Sequence, residues 1–320
     1  MKILIIGYSS IVRRRVMSAL RHLDEIVGVD LATRRPDKVI NPLDPKIGNT
    51  YGSYEEALEQ TDAELVYISL VNSLHGHWVE AALQAGKHVV VDKPAFLSSA
   101  ETKRFVKMAD RSGLCLAEAI VIGDHPQFNL LHNLVEAHGG ITRLCAVFSV
   151  PPFPQSNYRN HSELGGGALL DMGSYVAALG WLLFKKDPEE VVCRVLDHHA
   201  QTQVDTAFSV LVRYPDSGCF IGYFGFDTEY QNRITVIGPH ISITLDRVFT
   251  IPPDLENKIL VTRQSKQSII TCPPGDTFLL FFSRLIKAIK SKAWAEFPQD
   301  ILRNAFFREQ MQRSAQGNAI

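Results

Sequence analysis

Apolar positions along this chain change their rhythm near residue 120. Before it, short unbroken apolar runs alternate with helix-period segments. The runs at Lys2–Ile6, Glu25–Ala32, Leu65–Leu70, His88–Val91 and Leu114–Glu118 predict strands buried on both faces. The spacing between them predicts helices over Ser10–Leu23, Tyr54–Gln60, His75–Ala85 and Ser98–Ser112, the last two closed by Gly86 and Gly113. Strand–helix alternation of this kind builds a doubly wound parallel sheet. A helix over Phe128–Ala137 follows. Strand-like runs then succeed one another: Leu144–Val150, Glu190–Asp197, Ala207–Tyr214, Cys219–Phe226, Arg233–Ile237, Ile241–Asp246 and Lys258–Val261. An apolar helix over Leu169–Phe184 sits among them, and an amphipathic one over Phe278–Lys290 comes near the end. Hairpin-like succession predicts an open, mostly antiparallel sheet with helices. The expected division is an α/β domain over residues 1–121 and an α+β domain over 122–320.

Composition narrows the class. The 320 residues are 46% hydrophobic and 21% charged, which excludes a disordered chain. Lys plus Arg is 33 against 34 for Asp plus Glu, so no basic field favours nucleic acid or an anionic membrane as a partner. The five cysteines, Cys115, Cys145, Cys193, Cys219 and Cys272, are far apart and odd in number. That argues against a disulfide framework and for a reduced, cytoplasmic protein. The N-terminal apolar run, of about five residues, is too short for a signal peptide or a membrane span. The longest run, Ala168–Phe184, is broken by Asp171, Gly173, Ser174 and Gly180 and reads as a buried helix. His198 and His199 lack a third nearby ligand, so no metal site is expected.

Three segments carry candidate chemistry. The first strand ends in Gly7-Tyr8-Ser9-Ser10-Ile11-Val12, where a dinucleotide-binding chain has GxGxxG between strand and helix. Only the first glycine is present. Gly7 supplies the tight turn, Ser9 and Ser10 are small enough to offer hydroxyls to a phosphate, and Val12 replaces the third glycine. The second strand leads into Val29-Asp30-Leu31-Ala32-Thr33-Arg34-Arg35. An acid at the strand end accepts from the ribose hydroxyls of NAD, whereas a hydroxyl followed by arginine holds the 2′-phosphate of NADP. If the strand runs through Ala32, its end is Thr33-Arg34-Arg35, and NADP(H) is favoured over NAD(H). Finally, Lys93 follows the strand His88–Val91 at the edge where ligands of open α/β sheets bind, and Pro94 biases it to extended geometry. A cation there can polarise a carbonyl.

Asn72-Ser73-Leu74-His75, Ala85-Gly86-Lys87-His88-Val89-Val90-Val91-Asp92-Lys93-Pro94 and Gly165-Gly166-Gly167-Ala168-Leu169-Leu170-Asp171-Met172-Gly173-Ser174-Tyr175 together resemble the Gfo/Idh/MocA oxidoreductases. The resemblance covers nearly the whole chain. It implies an N-terminal Rossmann domain binding NAD(P), and a C-terminal α+β domain whose open sheet carries substrate contacts and oligomer interfaces. The family lysine maps to Lys93 and its aspartate to Asp171. The position four beyond, often histidine, is Tyr175, as in the sugar-ketoreductase and dihydrodiol dehydrogenase-like branches. Glu118 and His125-Pro126-Gln127 match the family's domain junction.

The implied chemistry is hydride transfer between a nicotinamide and a carbonyl or hydroxyl carbon. Asp171 and Tyr175, four apart, share a helix face and can face the same cleft as Lys93. Tyr175 is then the acid in reduction or the base in oxidation, tuned by Lys93, which also polarises the carbonyl; Asp171 orients sugar hydroxyls or the lysine. On the residues alone, the preferred readings are Asp171 as an acid favoured by the helix dipole and Tyr175 as a half-buried aromatic; the resemblance turns both toward chemistry. The cofactor side is expected to comprise Gly7, Ser9, Ser10, Ile11, Thr33, Arg34, Arg35, Leu70, Asn72, His75, Lys93 and Pro94. The substrate side is expected to comprise Glu118, Asn157, Arg159 and Gln231. The expected function is an NADP(H)-dependent oxidoreductase acting on a sugar or sugar nucleotide. The alternatives are a reductase of a non-sugar substrate, of pigment or dihydrodiol type, and a non-catalytic dinucleotide-binding scaffold. A sheet with one uncovered face calls for a homodimer or homotetramer.

Overall fold

A computed structural model describes all residues except 36–38, 40–45 and 318–320. Its six N-terminal strands, β1 (Lys2–Ile6), β2 (Gly28–Ala32), β3 (Ile47–Tyr51), β4 (Leu65–Ile68), β5 (His88–Val91) and β6 (Leu116–Glu118), form one sheet in the order β3-β2-β1-β4-β5-β6. Every pairing in it is parallel. The order reverses at β1, the topological switch point of a doubly wound fold. The strands end in register: Tyr51, Ala32, Ile6, Ile68, Val91 and Glu118 stand side by side. The residues just beyond them, Thr33, Gly7, Ser69, Asp92 and Ala119, therefore form one edge. Residues 10–21 are helical, with a π turn over Val12–Val16 running into α1 (Met17–Arg21). Helices α2 (Tyr54–Gln60), α3 (His75–Gln84) and α4 (Ser99–Arg111) make the crossovers, and the side chains of Ser53 and Ser98 cap α2 and α4.

The later strands are β7 (Arg143–Ser149), β8 (Glu190–His198), β9 (Asp205–Tyr214), β10 (Gly218–Gly225), β11 (Gln231–Ile237), β12 (Ser242–Asp246), β13 (Asn257–Arg263) and β14 (Lys266–Cys272). They form an eight-stranded sheet, β14-β13-β12-β11-β7-β10-β9-β8, antiparallel except where β7 meets β10. Helices α5 (Pro126–Glu136) and α6 (Ala168–Phe184) precede and interrupt it. One face builds a core with Phe184, Phe208, Tyr214, Phe220 and Phe224. On the other face one register row crosses all eight strands: Val192, Leu211, Ile221, Cys145, Thr235, Thr244, Leu260 and Ile269. Leu211, Ile221 and Ile269 in that row are 42%, 50% and 64% exposed.

Two compact units divide the chain, but not at a single point. The first comprises Met1–Ala119 and Phe278–Ala305; the second, Ile120–Thr277 and Phe306–Ile320. The linear division at 121/122 thus gives way to a discontinuous first unit. Within that unit α7 (Thr277–Ser291) sets Phe282 edge-on to Tyr67, with ring centroids 5.7 Å apart. The helix α8 (Glu296–Ala315), unpredicted from the pattern, has Ile301 in the first unit's core and Phe307 and Met311 in the second's. Its apolar positions hold no single phase, which hides it from a periodicity reading. The other unpredicted elements, β3 and β14, are edge strands of mostly half-buried or exposed residues and so lack an apolar run. All five cysteines are free. Among the described residues, no helix is long and apolar enough to cross a membrane, and no cluster of His, Cys, Asp or Glu has metal-binding geometry.

Candidate active site

In the first unit the chemistry-bearing residues gather at the edge just past the strand ends. Gly7 has φ +96°, and a Cβ there would lie 2.2 Å from the carbonyl oxygen of Ser69, so only glycine fits. Its N–H donates to Ala32 O at 2.9 Å, tying the turn to β2. Past β2, Thr33 Oγ1 accepts from Arg35 N at 3.2 Å. Arg34 and Arg35 are exposed, and the Arg34 guanidinium lies 5.5 Å from the centre of the Tyr54 ring. Asp30, the alternative ribose partner, is fully buried. Its carboxylate accepts from Thr61 Oγ1 at 2.8 Å and Asn49 N at 2.9 Å, and pairs with Lys2 Nζ at 3.0 Å. It belongs to the sheet's interior.

The loop bearing Lys93 is held on both sides. Before it, the Asp92 carboxylate accepts from the hydroxyls of Tyr67 and Ser69. Burial raises the Asp92 pKa, opposed by those two bonds and by the charges of His75 and Lys93. After it, Ala95 N donates to Glu118 Oε1 at 2.8 Å, while Glu118 Oε2 accepts from Asn304 Nδ2 at 3.0 Å. His75 is fully buried, with Nδ1 at 2.9 Å from Pro94 O and Nε2 at 3.2 Å from Leu70 O. Sequence reasoning set Glu118 beside substrate and His75 beside cofactor. The structure engages both in shaping loops, Glu118 at the Lys93 loop and His75 between that loop and the one after β4. Asn72 is buried at the start of a short 3₁₀ turn leading into α3, whereas Leu70 is half-buried at the edge. Ser9 is half-buried, with its Oγ 2.7 Å from Ser69 Oγ; Ser10 is exposed and Ile11 half-buried.

In the second unit the triple glycine is a packing device. A Cβ on Gly166 would stand 2.4 Å from the carbonyl oxygen of Arg159, and one on Gly167 would stand 2.4 Å from Asp205 Oδ1. Bare backbone lets the loop lie against the start of α6, where Gly167 N donates to Arg159 O at 2.9 Å. Asp205, from β9, caps the helix by accepting from Leu169 N at 2.5 Å. The loop in turn delivers Arg159 Nε to Asp171 Oδ2 at 3.0 Å. The guanidinium also lies 4.9 Å from the ring centre of Phe153 and 4.7 Å from that of Tyr158. Burial is the largest influence and lowers the Arg159 pKa, but the charge and hydrogen bond of Asp171, with Tyr158 and Tyr175, together outweigh it and the net shift is upward.

One helical turn on, the Tyr175 ring meets Phe148 and Phe249 edge-on at 5.5 and 5.6 Å and stays half-buried. Asn157 is half-buried, and its Oδ1 accepts from Arg159 N at 3.1 Å. Gln231 is exposed at the start of β11, paired with Ser149. Its neighbour Asn232, which sequence placed only within a Tyr230-Gln231-Asn232-Arg233 pocket rim, does more. Asn232 is buried, donates to Tyr230 OH and Thr250 Oγ1 at 2.9 Å each, and accepts from Val248 N at 2.7 Å and Phe249 N at 2.9 Å. It therefore fixes the ring on which Tyr175 rests. A buried polar residue with four partners leaves no signature in a single sequence.

Residues 1–120 match the family described as "Oxidoreductase family, NAD-binding Rossmann fold", and residues 132–244 match "GFO/IDH/MocA C-terminal domain". A dTDP-3,4-didehydro-2,6-dideoxy-alpha-D-glucose 3-reductase from Actinomadura kijaniata is 30% identical over 310 residues, 94% of this chain and 91% of its own length. The chain belongs to the Gfo/Idh/MocA oxidoreductases. A crystal structure of a 3-ketoreductase from the same organism, in complex with NADP and TDP-benzene, is similar at 27% identity with a TM-score of 0.91, over 98% of this chain and 97% of that one. A trans-1,2-dihydrobenzene-1,2-diol dehydrogenase from Xenopus laevis is 31% identical over 171 residues, about half of each chain at 52% and 51%. Within this Gfo/Idh/MocA chain the family motifs fall on the two groups of residues just described, Lys93 in the first unit and Asp171 with Tyr175 in the second.

Proposed function

We propose that this protein is an NADP(H)-dependent reductase of a keto group on a nucleotide-linked sugar. The residues at the dinucleotide edge fit NADP(H). Gly7 leaves backbone bare at the turn, Asp30 is engaged in the interior, and Arg34 and Arg35 are exposed past β2 to pair with a 2′-phosphate. Bound NADPH supplies the hydride. Reduction leaves an alkoxide, which needs a cation and a proton. Lys93 supplies the cation and Tyr175 the proton. A free phenol titrates near pH 10, about three units above neutrality; Arg159 and Tyr175 interact electrostatically within one unit. Asp171 holds Arg159 in place. Sugar-nucleotide reductases among the relatives, matched over nearly their full length, support the substrate class.

The observation that carries the reading is Tyr175, a phenol on an aromatic floor one helical turn from a buried Asp171 paired with a half-buried Arg159. A non-catalytic dinucleotide-binding scaffold has no use for such a proton donor. Tyr175→Phe is expected to lower turnover of a nucleotide-linked ketosugar about a hundred-fold or more, with NADPH binding intact. Turnover within a few-fold of wild type would sink the assignment. A second reading, oxidation or reduction of an apolar cyclic substrate, is favoured by the rings of Phe148 and Phe249 beside Tyr175. We further infer a cytoplasmic homodimer or homotetramer built through the uncovered sheet face.

A further inference from the structure

The family's glycine-rich turn is missing its second and third glycines here, and a hydroxyl chain occupies the space behind it. Its anchor is Asp92, which accepts from Tyr67 OH at Oδ1 and from Ser69 Oγ at Oδ2. A hydroxyl carries one proton. With Asp92 ionised, the Ser69 proton is engaged, so the 2.7 Å contact between Ser9 Oγ and Ser69 Oγ must be donated by Ser9. Ser9 Oγ also accepts from Val12 N at 3.3 Å. The Ser9 proton therefore points into the protein and is not available to a phosphate, contrary to the expectation from sequence. The same strand ends hold Gly7 against the Ser69 carbonyl, closing the arrangement from the backbone side.

We propose that Ser9, Ser69 and Asp92 are positioning residues of the dinucleotide site, a partly buried hydroxyl–carboxylate chain that sets the shape of the Gly7–Ser9 turn in place of the absent glycines. The inference rests on the reading of that turn as a dinucleotide site. Asp92 directly precedes Lys93, so one carboxylate braces both the turn and the lysine loop.

The test is equilibrium titration with NADPH, read by fluorescence, on the full-length wild type, Ser9→Ala, Ser69→Ala, the Ser9→Ala/Ser69→Ala double variant and Asp92→Asn. Thermal unfolding serves as a folding control. Each single variant should weaken NADPH binding roughly ten-fold. The double variant should bind no more weakly than Ser69→Ala, because both changes break one chain. In turnover assays the KM for NADPH should rise while that for the ketosugar holds. If Asp92→Asn does not fold, the half-buried Ser9 still decides. Ser9→Ala binding NADPH as wild type does, or effects of Ser9→Ala and Ser69→Ala that add in full, overturns the proposal alone. Folded wild-type protein that binds neither NADPH nor NADH overturns the dinucleotide reading beneath it.

Discussion

Asp30 and Arg34 lie four residues apart, and burial separates their roles. Sequence left both open as the partner of the cofactor ribose, because it shows where a strand runs but not which end of it a side chain serves. The structure surrounds Asp30 with Lys2, Thr61 and Asn49 and leaves Arg34 exposed past the strand end. Replacing Arg34 and Arg35 with alanine should therefore raise the KM for NADPH roughly ten- to a hundred-fold, the loss of one charge-assisted hydrogen bond, and leave that for NADH near its starting value. Equal losses on the two cofactors would count against the 2′-phosphate role. Arg159 makes a second case. It was a candidate for substrate, and its Nε donates to Asp171 while the guanidinium lies over the Phe153 and Tyr158 rings. Arg159→Leu strands a buried carboxylate and should cost roughly 3 kcal/mol in denaturant unfolding. The Arg159→Leu/Asp171→Leu pair should recover much of that loss, because neither charge is then left unpaired.

At the scale of elements, α5 shows how a capping residue becomes pH-sensitive. His125 Nδ1 accepts from Gln127 N at 3.2 Å as the helix cap, and burial pushes the imidazole down to about 4. Its ordinary value is near 6.5. The unfolded chain thus takes up a proton at a pH where the folded one does not. Stability from this group is complete above pH 6.5 and falls as the pH drops from there toward 4, by up to about 3 kcal/mol. His125→Asn keeps a cap acceptor without the titration. Urea unfolding at pH 7.5 and pH 5 should show a smaller acid loss for this variant than for wild type, and an identical loss would refute the assignment. His125 was legible in sequence only as part of a junction motif. Most strands and helices were legible because the parallel strands are apolar on both faces and the other elements keep one apolar face toward one core. The triple glycine was legible as a bend, but its purpose, close approach of the Arg159 carbonyl to Gly166, depends on a loop whose path no local pattern encodes.

Across the whole molecule two features decide behaviour. The register row on the open sheet face, with Ile221 and Leu211 exposed toward its β8 end, is the surface through which the proposed self-association would run. Ile221→Lys should shift the protein to a smaller species in sedimentation velocity while leaving its circular dichroism unchanged. A wild-type monomer at micromolar concentration would remove that reading. The other feature is the discontinuous first unit. Tyr67 waits for the ring of Phe282, and Glu118 for the amide of Asn304, so the parallel sheet made from the first 119 residues is completed by a segment almost at the chain's other end. A ribosome works in one direction. Until residues 278–305 have been made, the Rossmann half emerges with part of its apolar surface uncovered, and its folding finishes only once that segment has joined it.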